Sequence, residues 1–549
     1  MRSVVPNLYL SPDAVQVNTP KLMGRQSAGR GFMRGLAKAY PGDSRTLTLV
    51  HSGGAHQAVL EQEARDTGWS GPITHHPVND PNRWPAGVLH VPAPFDTRMA
   101  WQRSRRGMAS VALCGVTHTI SSSGVLAQVA DYVQGPFAQW DALICTSRSV
   151  HKAVHQVWDL TREQLAQRLG VPAVHPQLPI TPVIPLGVHV DDFTPDAALR
   201  TKGRAEWQLV EDEVAVLFVG RLSFHAKANP WPMYEACARA AAQTGQCVRV
   251  LECGWFSNES LREAFVQAAK QAGVTVTHID GRRPGATRQA FASADVFMSL
   301  SDNIQETFGL TPLEAMAAGL PVIASDWDGY RETVRDGVDG FLVPTAQPAD
   351  PACALVPSEA YEDGRLSYDR YIGHAHLMVG VDVPRCTQAL VRLIQEPALR
   401  ERMGAAGRAR AREVYDWAVV MAQYQALWAE QEARRVAAHP GVVQRAPAFT
   451  NPLALFDHYP SQKLTAQSLL WRDPAFDLNR LSAVRSLTLW EFAQGRLADA
   501  AVMHAAVAQL PAPDQPGCSV AQWAKTLGWN WPMALRQAVW LHKVGAVLC

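Results

Sequence analysis

No run of apolar residues in this sequence approaches the ~18 needed to cross a bilayer as a helix. The opening stretch, MRSVVPNLYLSPDAV, has no long apolar segment behind its arginine, so neither a spanning helix nor a secretory signal is expected. Cysteine is sparse: nine residues, an odd number, with no C-x-x-C spacing. Several, such as Cys114 and Cys145, stand in apolar stretches, the pattern of a reduced, cytoplasmic protein; a disulfide framework and a zinc site are both excluded. Charge of one sign is missing as well. Lysine and arginine total 51 against 50 acids, which removes the electrostatic footprint of a nucleic-acid binder. Basic clusters at 25–34 and 98–106 leave anion or peripheral membrane contact open, although solvated faces are the preferred reading of both.

What the 549 residues hold instead is alternation. A chain of this length forms two or three cores, because single cores stop growing near ~250–300 residues. Apolar runs at 46–50, 88–91, 110–116 and 140–147 alternate with helical patterns at 32–39, at 55–63 and from 150 onward. The alternation restarts at 214–219 and continues as strand-like 248–252, helical 260–272, strand-like 274–279 and helical 287–294. Right-handed crossovers turn such a pattern into a doubly wound parallel sheet. One sheet is expected in each half, the two facing each other over a cleft, and the proline, glycine and acids of 183–192 suit the boundary.

The chain is organised around VFMSLSDNIQETFGLTPLEAMAAGLPVIASDWD, residues 296–328. Its apolar start reads as a buried strand. A polar loop follows, and Thr311-Pro312-Leu313-Glu314 looks like a helix start, with Thr311 as N-cap, proline at N1 and an acid in the first turn. Gly319-Leu320-Pro321 ends that helix. Loops at the carboxyl ends of parallel strands bind ligands, and the amides of Thr307, Phe308, Gly309 and Leu310, just before a helix, favour an anion such as phosphate. Glu306 and Glu314 frame the same loop.

Cations stand at a second strand end. Arg221 follows Gly220, with Lys227 six residues on; a fork and a point charge suit a diphosphate. Near the start, PKLMGRQSAG carries Gly24, Arg25 and Gly29 in what reads as a loop entering a helix at Phe32. Such a loop serves either close substrate approach or a plain surface turn. A lone histidine is more often structural than catalytic, but His118 sits at the carboxyl end of the 110–116 strand, where ligands bind.

ETFGLTPLEAMAAGLPVIAS, with glutamates separated by seven residues, is similar to the signature of retaining GT-B glycosyltransferases, the group 1, family 4-like set that includes glycogen and sucrose synthases. VGRLSFHAKANP resembles that family's donor-phosphate segment, GVTHTISS the segment whose histidine faces the donor sugar, and PKLMGRQSAG a substrate-facing first loop. The resemblance covers residues 1–435. It implies a GT-B fold: an acceptor-side Rossmann-like domain at 1–200, a nucleotide-sugar-binding one at 201–405, and a crossover helix at 406–436. It further implies retaining transfer of a sugar from a nucleotide diphosphate sugar to a hydroxyl acceptor. In that scheme Arg221 and Lys227 hold the diphosphate, Glu314 the ribose, and Glu306 contacts the donor sugar beside His118.

No cofactor or metal is expected. Asp326-Trp327-Asp328 has the form of a metal-binding D-x-D, but Arg221, Lys227 and the helix N-terminus already supply the charge a cation would. Family members commonly show two glycines where Asp328-Gly329 stands, so that loop departs from the pattern. Residues 345–383 break the alternation and read equally as a lid or an insertion. Residues 408–433 read as one long helix and 437–549 as a helical appendage whose tryptophans are core. A nucleotide-sugar epimerase, a phosphorylase-like enzyme with a pyridoxal-bearing lysine, and a non-catalytic GT-B scaffold are the alternatives. Donor base, sugar and acceptor are not encoded legibly.

Overall fold

The structure, a computed structural model, describes residues 4–16, 24–42, 45–438 and 445–549. It divides into two compact units, Met1–Ala446 and Pro447–Cys549. In the first unit, strands β1 (Asn7–Tyr9), β2 (Leu47–His51), β3 (Ile73–Pro77), β4 (Val88–Val91), β5 (Ala112–Val116) and β6 (Ala142–Ile144) form a six-stranded parallel sheet in the order β3-β2-β1-β4-β5-β6. A second parallel sheet holds β7 (Val214–Arg221), β8 (Val248–Trp255), β9 (Thr275–Asp280), β10 (Val296–Ser299), β11 (Val322–Ser325) and β12 (Gly340–Val343), in the order β12-β11-β10-β7-β8-β9. Both are the doubly wound Rossmann order, so the expected pair of α/β domains is present.

The strands that the sequence marks as continuous apolar runs are the ones helices cover on both faces: β4, β5, β10 and β11 are buried at every position, as parallel sheets require. Strand β3, ITHHP, was not expected. It lies at the sheet edge and is partly exposed along most of its length, so it needs no apolar run and gives no periodic signal.

The helix Trp417–Ala437 supplies Trp417, Val420, Met421, Tyr424, Leu427 and Trp428 to the core of the first sheet. The single helix expected over 408–433 is interrupted: Pro397–Arg410 runs into a π-helical turn, Ala411–Tyr415, and Asp416 is extended at ψ 139°. The break has a partner. Val188 N donates to Tyr415 O at 2.8 Å and Trp417 N to Val188 O at 3.1 Å, so the two chain segments that pass between the sheets pair side by side. Gly187 is required there, since a Cβ would lie 2.5 Å from Trp417 Cδ2.

Residues 345–383 form a helical hairpin. Thr345–Ala346 pairs antiparallel with Gly380–Val381 and clips its ends, while helices Leu355–Glu362 and Tyr368–His376 make its body. The unit Pro447–Cys549 contains the expected helices, Ala500–Ala508, Val520–Leu527 and Trp531–Lys543, but is not purely helical. Leu469–Arg472, Cys518–Ser519 and Val547–Leu548 form a three-stranded sheet, with strands too short for the sequence to show a period of two. Trp523 and Trp540 are core, whereas Trp531 is 39% exposed.

Candidate active site

The order of the second sheet reverses between β10 and β7, where an open sheet leaves a crevice beyond its strand ends. Arg221 ends β7, and the polar loop after β10 lies across that crevice. The loop is tied down by two of its own side chains and by Trp327 from beyond β11. Ser301 Oγ donates to Lys227 O at 3.3 Å, Asn303 Nδ2 to His225 O at 2.8 Å, and Trp327 Nε1 to Asn303 O at 3.2 Å.

Within this frame Lys227 Nζ donates to Glu306 Oε2 in a short ion pair. Glu306 also accepts the amides of Thr307 and Phe308, and Tyr330 Oη lies 3.5 Å from it, itself 2.9 Å from Ser299 Oγ. Burial alone would raise the Glu306 carboxyl. The Lys227 charge and these hydrogen bonds outweigh it and hold the group below its ordinary range. Two of the four amides expected to face an anion are thus turned onto Glu306.

The helix begins two residues earlier than expected. It spans Leu310–Ala317 with Gly309 as N-cap, so Thr311 and Pro312 lie inside it and Glu314 falls in its second turn. Gly309 displaces Thr311 from the cap for a steric reason. Its φ is +85°, and a Cβ there would sit 2.0 Å from Tyr330 Cε1, so only glycine lets the Tyr330 ring reach Glu306. Glu314 is partly buried, and burial, partly offset by Lys227, pushes its carboxyl up to about 7. Arg221 points one nitrogen at Gln305 Oε1, 2.8 Å, and at Ala226 O, 3.1 Å. Burial lowers its pKa, opposed by the nearby Asp369 charge.

The other sheet meets this site from across the cleft. His118, after β5, is hydrogen-bonded through Nε2 to Pro92 O at 2.9 Å. A carbonyl can only accept, so Nε2 carries the proton and Nδ1 is the acceptor. Burial, opposed by that hydrogen bond and reinforced by Arg25, lowers the ring to about 4, and it is neutral. Thr119 Oγ1 donates to Gln305 O at 2.6 Å. Ser147 Oγ donates to Asp328 Oδ1 at 3.3 Å, and Arg148 N donates to Glu332 Oε1 at 2.5 Å. Gly24, Arg25 and Gly29 belong to the helix Gly24–Ala39 and not to a loop, with Arg25 paired to Asp13 at 2.9 Å. Residues 20–23 of that stretch lie outside the described residues.

The D-x-D acids diverge. Asp326 is paired with Arg331 at 2.8 Å, while Asp328 turns toward Ser147. No group of three metal-ligating side chains occurs among the described residues. Asp328 has φ +44°, the left-handed region that glycine favours, and its Oδ2 is buried without a partner. Burial and the Glu306 charge, against the Ser147 hydrogen bond, push its carboxyl up to about 8. The residues that sequence reasoning missed are Gln305, Tyr330 and Ser147. Only Tyr330 left a trace, in the Asp328-Gly329-Tyr330 departure from a double glycine.

Comparison with known proteins gives four findings. Residues 200–355 match the family described as Glycosyl transferases group 1. A phosphatidyl-myo-inositol mannosyltransferase of Mycobacterium leprae is 28% identical over 431 residues, covering 76% of this chain and 94% of its own. A D-inositol 3-phosphate glycosyltransferase of Nocardia farcinica is 34% identical over 182 residues, 32% of this chain; the match spans only 38% of that relative's length. The crystal structure of Anabaena HepE in complex with UDP superposes with a TM-score of 0.50 at 18% identity, over 77% of this chain and 100% of that one. At that identity the likeness carries the fold.

Proposed function

We propose, from the premise that residues 200–355 are a Glycosyl transferases group 1 domain in a GT-B fold, that this protein is a glycosyltransferase using a nucleotide diphosphate sugar. The observation that carries this reading is the convergence of Arg221, Lys227, Glu306 and Glu314 on the crevice where the second sheet reverses its strand order. A leaving diphosphate gathers negative charge as the glycosidic bond breaks, and cations placed there stabilise that charge without reorganising. Lys227 is pre-positioned on Glu306 and needs only to exchange one anion for another. Glu306 and the neutral His118 flank the donor sugar, Glu314 accepts ribose hydroxyls, and transfer retains the anomeric configuration. No metal takes part.

The acceptor is a hydroxyl of an inositol-type or sugar polyol, a reading supported by the names of the relatives, and it enters from the first sheet's side. The working compartment is the cytoplasm. No helix among the described residues is long and apolar enough to cross a membrane.

The test is a pair of variants. Glu306→Gln should lower kcat by roughly ten- to a thousandfold, about 1.4–4 kcal/mol, because a carboxylate beside developing positive charge acts in the transition state. Glu314→Gln should raise KM and spare kcat, since ribose contacts serve both states alike. Equal kcat losses would reject this division, and proton NMR showing an inverted first product would reject retention.

A further inference from the structure

The helical hairpin 347–379 plays no part in the reading above, yet it touches both sides of the site. Tyr368 Oη lies 2.7 Å from Ser121 Oγ, beyond β5 of the first sheet, and accepts Gln305 Nε2 at 3.2 Å from the loop after β10. Gln305 in turn uses its Oε1 to hold Arg221 at 2.8 Å. A second tyrosine repeats the contact: Tyr361 Oη lies 3.0 Å from Ser123 Oγ and accepts its amide at 3.3 Å. Its ring stacks on Tyr371 at 4.5 Å and 11°, which joins the two helices of the hairpin. At the far end His376 Nδ1 lies 3.4 Å from Asp302 Oδ2, and Gly373 packs so closely on His225 that a Cβ would be 3.3 Å from the His225 Cβ. The hairpin thus roofs the segment that carries Arg221, His225 and Lys227.

We infer that residues 347–379 form a lid latched shut in the ligand-free protein, with Tyr368 as the latch and Gln305 as the stand-in for the anion on Arg221. The inference rests on the assignment of Arg221 to a diphosphate. An entering diphosphate takes the Arg221 fork, a charged acceptor replacing a neutral amide oxygen. Gln305 is then released and withdraws its second bond from Tyr368, which leaves the hydroxyl held by Ser121 alone. Donor binding and the grip of the lid on the first sheet's loop are therefore opposed. Tyr368 and Gln305 are positioning residues, acting through Arg221.

The probe is inorganic pyrophosphate, titrated calorimetrically into the full chain and into Tyr368→Phe, with amide hydrogen exchange followed in both. Removing the hydroxyl should tighten pyrophosphate binding by about three- to tenfold, since a ligand no longer works against the latch. In the absence of ligand the same variant should exchange faster over 119–123 and Tyr368–His376, which a merely structural ring, still present as Phe, would not show. Unchanged or weaker binding together with unchanged exchange would overturn the lid. Faster exchange with no pyrophosphate binding to either chain would instead overturn the diphosphate assignment and the competition through Gln305. Gln305→Ala, which frees Arg221 directly, should match the gain in binding; a loss there would also overturn the competition.

Discussion

Lys227 and Glu306 are 79 positions apart and meet as an ion pair at the mouth of the second sheet, with the Lys227 charge the main support of the Glu306 carboxylate. In a partly buried site, deleting one partner strands the other, and the cost exceeds that of a surface pair. Lys227→Ala and Arg221→Ala should each weaken nucleoside diphosphate binding by about 1.5–3 kcal/mol, the scale of a charge-assisted hydrogen bond. Calorimetry showing unchanged affinity in both variants would remove the diphosphate assignment.

Donor affinity should depend on pH through Glu314. Its carboxyl, pushed up to about 7, is only partly ionised at neutrality, and the ionised form is the better acceptor for ribose hydroxyls. Binding should strengthen as pH rises from 6 to 8, and Glu314→Gln should flatten that rise; a variant with the wild-type slope would place the titration elsewhere.

Stability should run the other way through Asp328. A carboxyl raised from 3.8 to about 8 in the folded protein binds its proton more tightly folded than unfolded. The folded state is therefore favoured at low pH, and the advantage is lost as pH climbs through that window. Asp328→Gly removes both the titration and the left-handed strain, and should stabilise the protein by about 1 kcal/mol at pH 9. Urea unfolding at pH 5 and 9 measures it, and a destabilised glycine variant at pH 9 would mean that the Ser147 contact outweighs the strain.

Turnover should survive chelator, and joint Asp326→Ala and Asp328→Ala replacement should leave it metal-independent. Loss of activity in chelator, restored by magnesium or manganese, would give these acids a metal after all.

The split at Ala446 and Pro447 predicts that a chain ending there stays soluble and keeps nucleotide affinity. Aggregation of that product would show that the last hundred or so residues complete another core.

Strand-forming runs such as 88–91 and 296–299 were legible because burial on both faces demands unbroken apolar sequence. Glu306 and Glu314 were legible for a different reason: their spacing resembles a known signature. What the sequence hid was decided by distant packing. Gly309 captured the N-cap from Thr311 because a tyrosine twenty-one residues on fills the space a side chain would need. Likewise Gln305 looks like any polar loop residue until β7 brings Arg221 beside it. The edge strand β3 and the short strands after 447 bury too little to leave a pattern.

The pairing of Val188 with Tyr415 and Trp417 places both chain crossings at one spot, with Asp416 Oδ2 accepting the Val190 amide at 3.4 Å. Two straps fastened side by side resist sliding but permit swinging. Any rotation of one sheet against the other would therefore turn about this seam.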